Sequence, residues 1–208
     1  MSIRMCSYKN KLGPVFRLRN GTKVNLSNAS EVRSGSGYSA FVVESNSILS
    51  LSDSENVFST GKPAIDASNS SVNISNVATV SSKGSHAIRA VNSNVIATSV
   101  GLLEGTTPVL MQGACHVNLN RIDNFHTKGT DNVCISGSGT KYGSLLLQNV
   151  VSVSGSISTQ NMNVTLLNVG GVKSTGSGAA IMFGATDANG SYTLRVDGAT
   201  IVEGTKSL

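Results

Sequence analysis

The carboxylates are the side chains best suited to chemistry in this sequence. Two carboxyl groups that face each other across a groove can hydrolyse a glycosidic bond, one as the acid and the other as base or nucleophile. The chain has only 11 acidic residues, and Glu44 and Asp66 are the best available pair. They occupy outward positions on the first strands of adjacent repeats, which predicts that they share one face. Solvated surface charges are the simpler interpretation of the same two residues.

Other catalytic or ligand-binding arrangements are weaker. His86, His116 and His126 lie near predicted turns, and their spacing matches no metal site. Cys6, Cys115 and Cys134 have neither metal-ligand nor redox spacing, and three thiols without a secretion signal favour folding in a reducing compartment. There is no G-x-S-x-G motif, and no glycine-rich turn opens a helix. We therefore expect neither a metal nor a cofactor.

An eightfold repeat supplies the elements that must position these side chains. Its copies are 21 to 25 residues apart and begin at Phe16, Phe41, Ile65, Ile88, Val109, Val133, Ile157 and Ile181. Within each copy, inward candidates alternate with other residues in three short segments, which is the period of a β-strand. Units of this length cannot bury a core alone, so the repeat predicts stacked coils.

The predicted turns have their own residue types. Glycines such as Gly37, Gly61 and Gly84 precede new copies by four residues, where a positive φ is easily adopted. The corner between the second and third strands falls on Asn28, Asp53, Asn76, Ser99, Arg121, Asn149, Asn168 and Gly198. Six of these eight residues are Asn, Asp or Gly, the types that tolerate a left-handed bend.

These patterns predict an all-β fold, a right-handed parallel β-helix (a solenoid) of about eight coils with three short strands each. A leucine-rich repeat is disfavoured because its consensus and helical segment are absent, and a β-sandwich is the remaining alternative. Residues 16–208 form the predicted solenoid. Residues 1–15 lie outside the repeat and are expected to be an N-terminal arm or a cap on the first coil.

The coils carry a family resemblance. Segments such as Ile65-Asp66-Ala67 and Val72-Asn73-Ile74-Ser75-Asn76-Val77, stacked without a secretion signal, resemble the β-helical parts of tailed-bacteriophage tailspikes, tail fibres and related virion appendages. The resemblance covers residues 16–208, and its motifs are architectural. It implies a homotrimer on a virion, folded in the host cytoplasm, that contacts a bacterial surface glycan by cleaving it or only binding it.

The repeat spacing favours the non-enzymatic form of this resemblance. Solenoid enzymes usually build a groove from long insertions between coils, whereas no complete spacing here exceeds 25 residues. We therefore expect a structural or receptor-binding virion protein, a spike, fibre or decoration protein. A polysaccharide depolymerase, either hydrolase or lyase, with a shallow site at Glu44 and Asp66 is the alternative.

Positive charge is concentrated at the N-terminal end. The net charge is +5, and Arg4, Lys9, Lys11, Arg17 and Arg19 lie in the arm or in the first coil. Docking onto an acidic surface of another virion protein is one expectation, and a solubilising basic end is the other. We expect no nucleic-acid partner, because neither interleaved aromatic residues nor a recognition helix is present. The chain has no long apolar segment, so we expect no membrane insertion.

Apolar residues recur at outward positions of the first strands, where water favours polar side chains. Such a stripe usually marks an interface, and here it predicts homotrimer contacts along the first-strand face. Its members are Val42, Val91, Leu110, Cys134 and Met182.

Overall fold

The computed structural model describes residues 2–4, 7–128, 130, 132–140, 142–174, 178–186, 190–198 and 201–203. In these residues the fold is all-β. The first eleven strands are β1 (Ser2–Arg4), β2 (Ser7–Asn10), β3 (Phe16–Leu18), β4 (Lys23–Ser27), β5 (Glu31–Ser34), β6 (Phe41–Glu44), β7 (Ile48–Ser59), β8 (Ile65–Ser68), β9 (Ser71–Ser82), β10 (Ile88–Val91) and β11 (Asn94–Gly105). The next eleven are β12 (Val109–Gly113), β13 (His116–Thr127), β14 (Val133–Gly139), β15 (Ser144–Val150), β16 (Ser152–Ser154), β17 (Ser156–Gln160), β18 (Asn163–Val169), β19 (Gly171–Lys173), β20 (Ile181–Gly184), β21 (Leu194–Asp197) and β22 (Ile201–Glu203).

All strand pairs are parallel, and each strand pairs with its equivalent in the next coil. The first strands form an eight-stranded sheet in the order β20-β17-β14-β12-β10-β8-β6-β3. The second and third strands form one larger sheet of 14 strands. The chain is therefore a β-solenoid of about seven turns, which confirms the predicted architecture and comes close to the predicted coil count.

The corner between the second and third strands is a ladder of left-handed residues. All eight predicted corner residues have positive φ, including Ser99 at 57° and Arg121 at 56°. In four coils the second and third strands are one continuous strand through this corner, so that β7, β9, β11 and β13 are each 12 residues long. A single left-handed residue thus bends the sheet, and strand pairing continues on both sides of it.

The core consists of stacked apolar ladders. Phe41, Val43, Leu49 and Val57, which are inward residues of the second coil, have no exposed surface. The equivalent residues of the last coil are open to solvent, since Leu194, Val196 and Val202 are 39%, 46% and 49% exposed. One end of the described solenoid is thus closed and the other is open.

The predicted register is wrong in one coil. Val109 pairs with Ile135, so the first strand of that coil aligns at Ile135 and not at Val133. The next inward position is then Gly137, where an added Cβ would lie 2.5 Å from the Met162 Sδ atom. The fully buried Met162 fills the space of the missing side chain. The shift places Cys134 inside the core, with no exposed surface.

The N-terminal segment is paired with the first coil. Strand β1 pairs with β4 and β2 pairs with β5, both in the parallel register of the other coils. Tyr8 aligns with Val32 and packs edge-on against Phe16, which stacks on Phe41 at 5.2 Å between ring centroids. This segment therefore extends the solenoid and covers its first coil. The described residues contain no helix that could span a membrane.

Candidate functional site

The predicted carboxylate pair lies on the outer face of the smaller sheet. Because Val42 pairs with Asp66 and Glu44 with Ser68, the two acids belong to neighbouring strands, β6 and β8. Glu44 and Asp66 line the same depression of about 370 Å³. The structure thus brings the two predicted residues together.

Arginines neutralise both members of this pair. Arg17 Nη2 lies 2.8 Å from Glu44 Oε1, and Arg19 Nε lies 3.3 Å from the same oxygen. Arg89 Nη1 lies 2.8 Å from Asp66 Oδ1. Hydrogen bonding from Arg17 holds the pKa of the Glu44 carboxyl below its ordinary value. A general acid in glycoside hydrolysis needs the opposite, a carboxyl group whose pKa is raised.

A second site lies at the bend of the larger sheet, and the sequence did not reveal it. This groove has a volume of about 530 Å³ and crosses the second to fifth coils. Its charged lining residues are Asp53, Glu55, Arg121 and Asp123. We call it the carboxylate groove.

Small residues leave the groove open between its charged ends. Ala78 and Gly101 occupy places on the third and fourth coils equivalent to those of Glu55 and Asp123. An added Cβ at Gly101 would lie 2.7 Å from the Ala78 carbonyl oxygen, so close packing of the coils requires glycine there. Glu55 and Asp123 are three coil steps apart, or about 14 Å along the axis.

The acids of this groove differ from the other described acids in having no ion pair. Nine acidic side chains are described, and six of them form an ion pair: Glu31, Glu44, Asp66, Glu104, Asp197 and Glu203. The remaining three, Asp53, Glu55 and Asp123, all line the carboxylate groove. Asp53 accepts a hydrogen bond from the Asn76 amide at 2.8 Å. Asp131 and Asp187 lie outside the described residues.

The predicted docking residues form part of an ion-pair network at the N-terminal end. Lys9 Nζ lies 2.6 Å from Glu31 Oε2, and Arg33 also binds Glu31. Lys11 is exposed and forms no ion pair with any residue that the structure describes, whereas Arg17 and Arg19 share Glu44. The side chain of Arg4 lies outside the described residues. The basic end therefore keeps a net positive charge although much of it is paired.

The predicted interface residues do not form one continuous exposed stripe. Met182 is 40% exposed, whereas Val42, Val91 and Leu110 are less exposed and partly buried. Cys134 has to be removed from the set because the register shift buries it, and its thiol donates to the Ser154 carbonyl at 3.0 Å. Burial raises the pKa of this thiol to about 12.

The histidines do not converge. His86 is partly buried and its Nδ1 atom lies 2.9 Å from the Thr107 carbonyl oxygen, while His116 contacts Ser144 and His126 lies 4.0 Å from Glu104. Among the described residues, no three His, Cys, Asp or Glu side chains are close enough to hold a metal ion. The three acids of the carboxylate groove are therefore too dispersed to share one cation.

Comparisons with known proteins give no relative for this chain. No protein-family model, curated protein or solved structure matches it.

Proposed function

We propose that this protein is a non-enzymatic structural protein of a virion, a homotrimeric β-helical spike, fibre or decoration protein. The observation that carries the proposal is the pairing of Glu44 and Asp66 with arginines on a solenoid without long insertions. A rod built from repeated ladders is stiff and has an extended surface, which suits display and attachment more than chemistry.

The proposal gives the two ends of the rod different roles. The basic first coils, with Lys9, Lys11, Arg17 and Arg19, dock onto an acidic surface of another virion protein. Distal coils project from the particle, where a bacterial surface glycan is a candidate partner. Electrostatic steering by the net positive end supports rapid docking at low ionic strength.

Polysaccharide cleavage by the purified protein tests the non-enzymatic part of the proposal. Incubation with surface polysaccharide from candidate hosts should release no new reducing ends. The variant with Glu44→Gln and Asp66→Asn should incorporate into particles and support adsorption as well as the parent does. Reducing ends that appear with the parent and disappear with this double variant would refute the proposal.

One observation favours the alternative, a polysaccharide depolymerase. Glu44 and Asp66 share a depression, as a pair of catalytic carboxylates would. Glycan hydroxyls would then have to displace Arg17 or Arg89 from the carboxylates before either acid could act. Release of reducing ends by the parent protein would give this alternative priority.

A further inference from the structure

Two sets of exposed charges without ion-pair partners lie on nearby coils. One is the carboxylate groove, whose Asp53 and Glu55 belong to the second coil. The other consists of Lys62 and Lys83, both exposed, in the turns that follow β7 and β9. We call these two turns, residues 60–63 and 83–86, the lysine edge. Neither lysine forms an ion pair within the described part of the chain.

The two sets lie at opposite ends of the third-strand segment. The chain leaves the corner at Asp53, runs along the rest of β7 to Ser59 and reaches Lys62 in the following turn. The next coil repeats this path from Asn76 to Lys83. The groove and the lysine edge are therefore separated by the length of one strand segment at the same height on the rod.

Cyclic symmetry places parts of neighbouring rods that lie at the same height next to each other. When identical rods stand parallel around a common rotation axis, each coil faces the same coil of its neighbour. The lysine edge of one copy then meets the carboxylate groove of the next, at the level of the second and third coils. This contact is heterologous, so in a closed ring each groove binds the lysine edge of a neighbouring copy.

The surfaces around this contact are compatible with close approach. Gly61 and Gly84 stack in the lysine edge, where a Cβ on Gly84 would lie 3.6 Å from the Gly61 Cα. Because neither residue has a side chain, the edge has little bulk at these two positions. Between edge and groove, the outer positions of the second and third coils are the uncharged Asn56, Phe58 and Thr79. The Arg33 guanidinium lies over the Phe58 ring, 4.5 Å from its centroid, and its charge is paired with Glu31.

We propose that copies of this chain assemble by seating the lysine edge of one copy in the carboxylate groove of the next. Lys62 and Lys83 then pair with Asp53 and Glu55, which have no cationic partner among the described residues of a single chain. The inference rests on the proposed homotrimer. It puts the subunit contact at the two ends of the third-strand segment, and the first-strand face stays outside the ring.

Charge reversal tests this contact by native mass in light scattering. The Lys62→Glu, Lys83→Glu variant and the Asp53→Lys, Glu55→Lys variant should each shift the mass from three chains to one, with the β signal in circular dichroism preserved. The variant with all four substitutions should recover the parent mass, because it restores opposite charges at the contact. Each pair of substitutions alone is expected to break the contact, so recovery of the parent mass by the fourfold variant would show that the two surfaces pair with each other.

A matched control for the lysine variant has the same change in net charge elsewhere. Lys11→Glu with Lys23→Glu alters two exposed lysines that form no ion pair with any described residue, in the N-terminal segment and first coil, and should keep the parent mass. The parent should also dissociate as salt rises, because the Debye length falls from about 10 Å at 0.1 M to about 3 Å at 1 M.

The outcomes separate this inference from the proposed function. A monomeric parent would overturn the homotrimer itself. A trimeric parent whose charge reversals keep its mass, or whose fourfold variant stays monomeric, would overturn only the corner contact. Leu110→Lys with Met182→Lys should leave the mass unchanged, whereas monomers from this variant would place the contact on the first-strand face.

Discussion

At the scale of single residues, partners in neighbouring coils determine the chemistry of each side chain. Glu44 is an outward acid by sequence, yet Arg17 lies 27 residues before it and arrives at its carboxylate through strand pairing. Cys134 occupies an outward place in the repeat, yet a register shift between Val133 and Ile135 turns it into the core. Contacts between coils thus decide reactivity here.

The two described cysteines should be unreactive in the folded protein. Cys115 and Cys134 are fully buried, and the raised pKa of Cys134 keeps its thiol protonated near pH 8. In a Cys6→Ser background, Ellman's reagent should modify neither thiol until denaturant is added, when both should react. Rapid modification of one thiol under native conditions would contradict the buried position of Cys134 or Cys115.

The ion pair of Glu44 should make part of the stability sensitive to acid. Because Arg17 lowers the pKa of Glu44 in the folded chain, its contribution is present above the ordinary value of 4.5 and is lost as pH falls through the folded-state pKa. The pair is partly exposed, so we expect an effect of about 0.5 kcal/mol. Denaturant unfolding at about pH 6 and pH 3 should show a smaller acid loss for Glu44→Gln than for the parent.

Asp123→Asn is the matched control for this measurement. It removes an exposed carboxylate on the fifth coil that forms no ion pair with any described residue and lies away from the proposed contact at the second and third coils, and should therefore keep the acid sensitivity of the parent. Equal curves for the parent and for Glu44→Gln would mean that the Arg17 contact contributes nothing to stability.

At the scale of elements, periodic sequence features predicted the structure well. The ladder residues of the second to fifth and the seventh coils are all buried as expected, and even Ser99 and Arg121 adopt the left-handed corner that their neighbours prefer. Pairing above and below imposes that conformation, although it costs a non-glycine residue about 1 kcal/mol.

The deviations from this pattern have local causes. The shift at Cys134 depends on Met162 filling the space at Gly137, a contact between residues 25 positions apart. The carboxylate groove also escaped prediction, because its acids come from the second and fifth coils and its floor from the two between. A repeat predicts which residues are equivalent, but it does not predict which exposed charges remain without partners.

Substitution of Ile74 tests the ladder register. Ile74 is 2% exposed, so Ile74→Asp buries a charge among apolar side chains and should cost about 4 kcal/mol of unfolding free energy. Its neighbour Asn73 is exposed on the same strand, and Asn73→Asp should change the stability by less than about 0.5 kcal/mol. Equal melting temperatures for the two variants would contradict the register.

At the scale of the whole molecule, the N-terminal segment contributes to stability as well as to the proposed attachment. Strands β1 and β2 pair with the first coil, and Tyr8 packs on Phe16, so removal of residues 1–12 should lower the melting temperature and expose the first-coil edge. Truncation therefore cannot test docking alone.

Charge removal separates these two roles. Lys11→Gln with Lys23→Gln eliminates two exposed charges that make no ion pair, and should leave the melting temperature within about 2 °C of the parent. Incorporation into particles should fall, and it should fall further as salt rises. Full incorporation of this variant would leave the basic end with only a solubilising role.

The coils at the two ends of the described solenoid are held by different contacts, so their resistance to force should differ. Contacts among the rings of Tyr8, Phe16 and Phe41 hold the first coils together, whereas the last described coil has neighbours on one side only and exposes Leu194, Val196 and Val202. Under tension applied across the described coils, the coil that exposes Leu194, Val196 and Val202 should separate before the coils at the N-terminal end do.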